Sequence, residues 1–307
     1  MTFRPLLGAK PDDKKSGRTV EEGLAMLRFP LFASFKLDGW RGGYEVSEFF
    51  TRKRKTFPNR NLQKLFKSID IPSGWDGEII VGDPFGPGVF NRTDSFCKSH
   101  YATTNLPVRF FVFDNYEAPG EFWKRLETLY DIPSLVVKLD QILITNAKEL
   151  FEFEKRALSQ SYEGIVLRDP QGRYKQGRST LREQYLVKLK RFSDAEARVV
   201  GFEELFHNAN SAEEDELGYT KRSSHAENLI PMGVLGSLIC KLGEVELRIG
   251  TGFSATDRRH IWGHRDQYLG RLVTFKHQTS GGKSVDKGGT GLRPPYIFLR
   301  WRTEIDS

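Results

Sequence analysis

Apolar and polar residues alternate in short runs through the first two thirds of the chain, and these runs predict β-strands. They are rich in β-branched and aromatic side chains, which suit a pleated and half-buried surface. The clearest runs cover residues 31–37, 77–81, 108–113 and 164–167.

Two further segments of the same part, residues 122–130 and 148–158, repeat their apolar residues at helical spacing. Strands and helices in this order favour an α+β fold with mixed sheets over a regular doubly wound fold. The buried face predicted for the second helix consists of Leu150, Phe151, Phe153, Ala157 and Leu158.

After about residue 192 the pattern changes to short strands separated by glycine-rich turns. One helix is predicted at residues 256–268, and the strands cover residues 197–202, 234–241, 244–249, 271–277 and 296–300. About five strands with a single helix are typical of a small Greek-key barrel of the OB type. We therefore expect two domains, residues 1–191 and residues 192–307, of which the second is an OB-type β-barrel.

The composition is that of a folded protein and permits a polyanionic partner. Of the 307 residues, 38% are hydrophobic and 12% are aromatic, which is enough for a real core. The net charge is +7, and the first 190 residues carry all of it because basic and acidic residues balance from Arg191 onward. This charge is compatible with binding to nucleic acid but does not establish it.

The sequence contains neither a membrane helix nor a secretory signal, and it contains few cysteines. No stretch approaches the ~18 consecutive apolar residues of a membrane helix, and residues 1–10 lack a secretory signal. We therefore expect a cytoplasmic protein with no membrane partner, in the host cytoplasm if the chain is viral. The two cysteines, Cys97 and Cys240, are too few for a four-cysteine zinc site and do not indicate a disulfide framework.

The segment that most suggests chemistry is residues 35–41, which read Phe-Lys-Leu-Asp-Gly-Trp-Arg. It places Lys36 at the end of an apolar strand and Asp38 in the following turn, so an amine lies beside a carboxylate at a pocket edge. Such an amine attacks phosphorus only when deprotonated, a state that nearby cations and removal from water favour. Alone, the pattern fits a surface lysine paired with Asp38 at least as well.

A series of charged and aromatic residues further along the chain strengthens the chemical interpretation. Lys188 and Lys190 are predicted to point to one side of a strand, because side chains alternate with period two. Taken singly, Phe113 also fits a core position, and Glu78 and Glu163 also fit edge-strand acids paired with lysines. In chain order the series is Arg52 within the basic run 51–55, Glu78, Phe113, Glu163, Lys188, Lys190 and Arg293.

Together these motifs resemble the ordered motif set of the covalent nucleotidyltransferase superfamily, and most of all the small ATP-dependent DNA ligases of bacteriophages. The resemblance covers nearly the whole chain, from residues 3–10 onward, and residues 194–201 and 221–228 are ligase-like in particular. It implies an adenylation domain followed by an OB-fold domain. It also implies that Lys36 attacks the α-phosphorus of ATP, expels pyrophosphate and holds AMP as a phosphoramidate. AMP would then pass to the 5′-phosphate of a nick in duplex DNA, and the 3′-hydroxyl would displace it to seal the strand.

The resemblance implies a nucleotide site assembled from several motifs. Arg41 and Arg52 would bind ATP and later the 5′-phosphate of the nick. Glu78 would face the ribose, and Phe113 would stack on adenine. Ser34 occupies the position where many family members carry an acid, so backbone groups of this segment would recognise adenine instead.

For the reacting groups, the resemblance implies that Lys188 and Lys190 contact the α-phosphate, while Asp38 acts in the later steps near the 3′-hydroxyl. Glu163, with Glu78 and Asp38, would hold Mg²⁺ or its substitute Mn²⁺, since such a cation neutralises phosphate oxygens through few carboxylates. We expect a monomer whose macromolecular partner is nicked duplex DNA.

The C-terminal part would contribute one catalytic cation and further DNA contacts. Arg293 would stabilise the leaving pyrophosphate, although its motif reads Arg-Pro-Pro where the family usually has Arg-Phe-Pro or Arg-x-Pro. The preceding glycine-rich stretch, residues 280–291, is interpreted as a loop that touches DNA through Lys283. It is not a P-loop, because His277 stands where the first P-loop glycine belongs. The other expected DNA contacts are Lys221, Arg222 and His225.

Several other functions compete with this interpretation. An RNA ligase or an mRNA-capping guanylyltransferase would share most of the motifs, but capping enzymes usually have an aspartate where Glu163 stands. An NAD-dependent ligase is disfavoured, because that class resembles a much longer chain with a four-cysteine zinc module. A non-catalytic DNA-binding scaffold would have no need of Lys36, Glu163 or the two strand lysines.

Overall fold

The computed structural model describes residues 4–13, 16–45, 48–86, 88–216, 219–278 and 292–302. The chain divides into two compact units, Met1–Lys190 and Arg191–Ser307. Within the described ranges, no helix is both long enough and apolar enough to span a membrane.

The first unit combines β-sheets with helices packed against them. Its strands are β1 (Leu6–Leu7), β2 (Leu31–Phe35), β3 (Trp40–Glu45), β4 (Glu48–Thr51), β5 (Trp75–Val81), β6 (Val108–Asn115), β7 (Val136–Lys138), β8 (Ile142–Ile144), β9 (Gly164–Arg168), β10 (Gly177–Arg178) and β11 (Val187–Lys190). Its helices are α1 (Val20–Ala25), α2 (Arg60–Lys67), α3 (Val89–Lys98), α4 (Phe122–Glu127) and α5 (Ala147–Ser159).

Two sheets form the walls of this unit. Sheet A is four-stranded with the order β11-β9-β2-β8, and sheet B is five-stranded with the order β4-β3-β5-β6-β7. Neighbouring strands are antiparallel except for β6 and β7, which run parallel. The mixed-sheet α+β class predicted from the sequence is therefore confirmed.

Helix α5 covers one face of sheet A, and part of the buried face predicted for this helix is wrong. The side chain of Asn146 caps the helix by accepting the N–H of Glu149 at 3.0 Å. Leu150, Phe153 and Ala157 are buried as predicted, and Glu154 is buried with them. Phe151 and Leu158 are exposed by 48% and 38%. These two lie seven residues apart, on a stripe beside the buried one, and the apolar stripe that faces the core is narrower than predicted.

The second unit is built around a sheet that contains two long strands. Its strands are β12 (Phe192–Asn208), β13 (Ala212–Glu214), β14 (Thr220–Arg222), β15 (Leu229–Leu242), β16 (Val245–Ile249), β17 (Leu272–Gln278) and β18 (Arg293–Trp301). Its helices are α6 (Ala255–Gly263) and α7 (Arg265–Tyr268), with a 3-10 turn at Ala226–Asn228.

The main sheet of this unit has five antiparallel strands in the order β16-β15-β12-β17-β18. Its core includes Val199, Leu235 and Phe275, and α6 packs against β15. In the described residues the edge strands β16 and β18 do not pair with each other, and an isolated bridge between Thr251 and Ile297 connects the two edges, so the sheet is only partly closed. The single helix predicted at 256–268 is interrupted at His264, whose φ of −124° is not helical.

Candidate active site

A cleft of about 540 Å³, counted to its open mouth, has walls from both sheets of the first unit. Strands β2, β9 and β11 supply one wall, and β3, β5 and β6 supply the other. The cleft therefore gathers side chains that are up to 154 positions apart in the sequence, from Ser34 to Lys188. The predicted site residues that line it are Ser34, Lys36, Arg41, Glu78, Phe113 and Lys188.

Lys36 lies directly after the end of β2, which is an inner strand of sheet A. Its backbone N–H donates to the carbonyl of Gly164 at 2.9 Å, which fixes this strand end against β9. Its ammonium group forms an ion pair with one oxygen of Glu163 and donates to the carbonyl of Leu37 at 3.3 Å. Lys190 donates to the other oxygen of Glu163 at 3.2 Å. A single buried carboxylate thus bridges the two lysines.

The strand register explains how one carboxylate reaches both lysines. Lys190 pairs with Gly164 across β11 and β9, and Glu163 immediately precedes Gly164. Gly164 has a φ of +149°, and a Cβ there would lie 2.3 Å from the carbonyl oxygen of Leu189. A side chain at position 164 would push the strands apart, so the glycine is required for the contact.

Lys188 belongs to a row of side chains that crosses sheet A. Ser34 and Lys188 both pair with Val166, and all three line the cleft. Val187 and Leu189 are buried on the opposite side, which confirms the predicted alternation of β11. Burial, together with the nearby cations of Lys36 and Arg41, lowers the pKa of Lys188 to about 7, although Glu78 opposes the change.

Glu78 lies on the facing wall, in β5. Its carboxylate accepts the backbone N–H of Gly39 at 3.2 Å. Burial raises the pKa of Glu78 to about 7, against the influence of Lys36 and Arg41, so this group is poised between its charge states near neutral pH. A Cβ at position 39 would lie 2.1 Å from the carbonyl oxygen of Ile79, which explains the glycine that follows Asp38.

Arg41 is held by a network that the sequence did not reveal. Its guanidinium donates twice to Asp76, once at 2.9 Å, and Tyr174 donates its hydroxyl to the same carboxylate at 2.7 Å. Burial alone would lower the pKa of Arg41, but Asp76 more than compensates and raises it. The guanidinium carbon lies 5.5 Å from the ring centre of Phe113. Arg41 is therefore a fixed cation beside an aromatic face.

A second buried ion network links the two sheets behind the cleft. Asp114 in β6 accepts hydrogen bonds from Arg125 in α4, at 2.8 and 3.2 Å, and from Arg168 in β9. All three side chains are at most 3% exposed, and the two guanidinium groups hold the pKa of Asp114 below its usual value although burial opposes this. Arg168 also lines the cleft. In the sequence, the only indication of this network is that Asp114 and Arg168 each follow an apolar run.

Asp38 and Arg52 are not among the residues that line the cleft. Asp38 lies in the turn between β2 and β3, and Arg52 is exposed just beyond β4. Arg52 lines a separate, smaller cavity, and its N–H donates to the carbonyl of Arg41 at 3.1 Å. In the described part of the chain, no three or more acidic, histidine or cysteine side chains form a metal-binding group. Glu163, Glu78 and Asp38 are therefore not gathered into one cluster.

The predicted DNA contacts of the second unit lie on its surface as far as the structure describes them. Lys221 and Arg222 are exposed in β14, and His225 is exposed after it. Arg222 donates to the carbonyl of Asn210, so one end of its guanidinium is anchored. Lys283 lies outside the described residues. Arg293 begins β18 and pairs with Gln278, and its side chain is not described.

The comparisons with known proteins agree with this geometry. Residues 14–190 match the model of the ATP dependent DNA ligase domain, and residues 231–302 match the DNA ligase OB-like domain. A DNA ligase of Haemophilus influenzae is 25% identical over 258 residues, which are 81% of this chain and 82% of that protein.

Two solved structures share the fold over nearly the full length. The DNA ligase-adenylate of Chlorella virus is 26% identical, covers 99% of both chains and has a TM-score of 0.53. A Lig E DNA ligase is 24% identical, covers 98% of this chain and 100% of its own, and has a TM-score of 0.62. The second match, at that identity, speaks for the fold alone.

The family match extends over more than half of the chain and includes the motifs that form the cleft. It favours a ligase over a capping enzyme or a scaffold without catalysis, and it confirms the resemblance found in the sequence. The OB-like class of the second unit is confirmed as well, with an open rather than a closed sheet. The chain belongs to the ATP-dependent DNA ligase family, which consists of enzymes of the covalent nucleotidyltransferase type.

Proposed function

We propose that this enzyme seals nicks in duplex DNA through a lysyl-AMP intermediate on Lys36 and a DNA-adenylate. The observation that carries the proposal is the position of the Lys36 amine. It lies on the cleft, paired with Glu163, and that carboxylate is shared with Lys190. An ordinary surface lysine would not need a buried carboxylate as its partner, or two further lysines nearby on β11.

The charges around the cleft suit a nucleoside triphosphate. Lys36, Lys188 and Arg41 provide cations for the phosphates, and Phe113 provides an aromatic face for the base. Glu78, on the opposite wall, can accept a hydrogen bond from a ribose hydroxyl. The pKa of Lys188 is about 7, so this lysine is only partly charged at neutral pH. Phosphate charges raise the pKa of a neighbouring lysine, so ATP binding would make Lys188 fully charged.

Transfer of AMP requires that the Lys36 amine lose a proton and attack the α-phosphorus opposite the leaving pyrophosphate. Glu163 contacts this amine, so it can orient it and accept its proton. Lys188 and Lys190 would then neutralise charge that develops on the α-phosphate. Positioning and charge stabilisation of this kind supply most of the catalysis in phosphoryl transfer. Asp38 and Arg52 would act in the later steps, when the 5′-phosphate and 3′-hydroxyl of the nick are engaged.

A divalent cation fits the donor set only if the substrate supplies most of its ligands. Glu78 lines the cleft and Glu163 contacts Lys36 beside it, but within the described residues they belong to no cluster of three or more metal-binding side chains. Mg²⁺ commonly takes one or two carboxylates together with phosphate oxygens, and Mn²⁺ could replace it. When bound, the ion would neutralise phosphate charge.

The second unit would bind the DNA backbone. Lys221, Arg222 and His225 are exposed on or near one hairpin strand and could contact backbone phosphates. Residues 1–191 would then form the adenylation domain and residues 192–307 the DNA-binding OB domain, with Arg293 acting in self-adenylation. We propose that the enzyme works as a monomer in the cytoplasm, of the host if the chain is viral.

Labelled nucleotides separate this function from its competitors. The protein is incubated with Mg²⁺ and either α-labelled ATP or α-labelled GTP, and the label on the protein is measured. The adduct is then chased with a nicked DNA duplex or a nicked RNA duplex. We expect labelling by ATP alone and sealing of the DNA nick. Labelling by GTP would indicate a capping enzyme, sealing of RNA alone would indicate an RNA ligase, and absence of any adduct would refute the proposal.

A further inference from the structure

The amide of Gln141 is a polar group for which the protein provides no partner. Both its oxygen and its nitrogen are shielded from solvent, and neither makes a hydrogen bond within the described residues. Burying an unpaired amide is costly, and native proteins contain few such groups. Gln141 also lines the cleft that contains Lys36. An amide left unpaired at a binding cleft is a candidate contact for the ligand.

The strand register places this amide at one end of an ordered row. Ala33 pairs with Ile142 across β2 and β8, so continuing the antiparallel register sets Gln141 opposite Ser34. Ser34 pairs with Val166, and Val166 pairs with Lys188. Three strand spacings separate the ends of this row, which is about 14 Å. The row thus carries an amide at one end, a cation at the other, and small or apolar side chains between them.

A nucleotide has matching chemistry along its length. Its phosphates suit the Lys188 end, because Lys36 and Arg41 also line the cleft and their charges act on Lys188. Its base would then lie toward the Gln141 end. Adenine offers a donor, the 6-amino group, next to a ring-nitrogen acceptor, and a carboxamide pairs with both at once through its oxygen and its NH₂. The side chain of Ser34 is short and leaves room for Gln141, opposite it, to contact the base.

We propose that Gln141 is a specificity residue that recognises the polar edge of adenine through a two-point hydrogen bond. This inference rests on the proposed function, because it requires ATP to occupy the cleft beside Lys36. It assigns base recognition to the side chain of the residue that precedes β8 rather than to the segment before the nucleophile. The oxygen of Gln141 accepts from the 6-amino group, and its NH₂ donates to a ring nitrogen.

The test compares ATP with purine riboside triphosphate, which lacks the 6-amino group. Half-saturating concentrations for self-adenylation are measured for the wild type, for Gln141→Met and for Gln160→Met. The last is a matched control, because Gln160 lines a neighbouring cavity and not this cleft. We expect the wild type and the control to prefer ATP by roughly tenfold to a hundredfold, the usual discrimination of a two-point contact. We expect Gln141→Met to lose this preference, because its ATP binding weakens strongly while its binding of the analogue, which keeps only the ring-nitrogen acceptor, weakens less.

The analogue also serves as the folding control, since a misfolded variant would lose activity with both nucleotides. Gln141→Glu retains an acceptor for the 6-amino group and should keep more of the ATP preference than Gln141→Met. A Gln141→Met enzyme that discriminates as well as the wild type would overturn the inference and leave the proposed function intact. So would a Gln141→Glu enzyme that is active but no more selective than Gln141→Met. A wild type that forms no adduct with either nucleotide would overturn both.

Discussion

Substitution of Asp114 tests the account of how the two walls of the cleft are held together. Asp114→Asn removes the charge that balances Arg125 and Arg168, while it nearly preserves the shape of the side chain. The three side chains are 0%, 1% and 3% exposed, so water cannot replace the lost partner. Breaking one member of such a buried network typically costs about 3–5 kcal/mol of unfolding free energy. We expect a loss of this size.

The assay is denaturant unfolding of the full chain, with Glu152→Gln as the matched control. Glu152 is paired with Lys148 at 4.0 Å on an exposed helix surface, so its loss should leave the unfolding of the first unit unchanged. The pKa of Asp114 is lowered in the folded state, so its contribution is present above the ordinary value of 3.8 and disappears as pH falls through the lowered one. The difference between wild type and Asp114→Asn should therefore shrink at acid pH. A destabilisation below about 1 kcal/mol, the range of exposed pairs, would refute the reasoning.

Three further predictions concern catalysis and DNA binding. The pKa values of Lys188 and Glu78 are both about 7, so ATP affinity should fall as pH rises through this range, because Lys188 loses its positive charge and Glu78 becomes negative. In ATP titrations from pH 6 to pH 9, Lys188→Met should remove part of this pH dependence, and the double variant with Glu78→Gln should remove the rest. Arg293→Ala should slow self-adenylation by on the order of 10²–10³ and spare the sealing of a pre-adenylated nick; equal slowing of both single-turnover rates, or a collapsed thermal melt, would count against its role at the pyrophosphate. Binding to nicked duplex DNA should weaken steeply with salt, because lysine and arginine contacts release counterions, and an affinity that does not change with salt concentration would speak against DNA as the substrate.

Local sequence patterns were sufficient to predict the side of the site that lies on sheet A. Lys36 ends an apolar strand and is followed by a tight turn, and both features are visible within seven residues. Lys188 and Lys190 lie on one side of β11 because the side chains of any strand alternate. These features depend on neighbours in the chain, and a sequence displays them directly.

Contacts between distant segments could not be predicted in the same way. The partners Asp114 and Arg168 are 54 positions apart and meet because sheets A and B face each other. Gln141 precedes a strand of only three residues, β8, which is too short to show a periodic pattern. Its importance follows from a register with β2 and from the absence of a hydrogen-bond partner among the described residues, and neither property can be read from sequence.

Strand β3 was missed for a different physical reason. It contains Gly42 and Gly43, and glycine disfavours strands because it has no side chain to pack. In the folded chain, a Cβ at position 42 would lie 2.3 Å from the ring of Phe49. The glycine therefore makes room for a core aromatic ring on the adjacent strand, and tertiary packing overrides the local preference.

The most direct test of the central claim is to identify the residue that carries AMP. The protein is incubated with ATP and Mg²⁺, digested, and the adenylated peptide is sequenced by mass spectrometry, with Lys36→Ala treated in parallel. The account predicts AMP on Lys36 alone, no adduct on the variant, and slow sealing by the variant of a nick that is already adenylated. AMP on Lys188, Lys190 or any residue of the Lys36→Ala protein would contradict it.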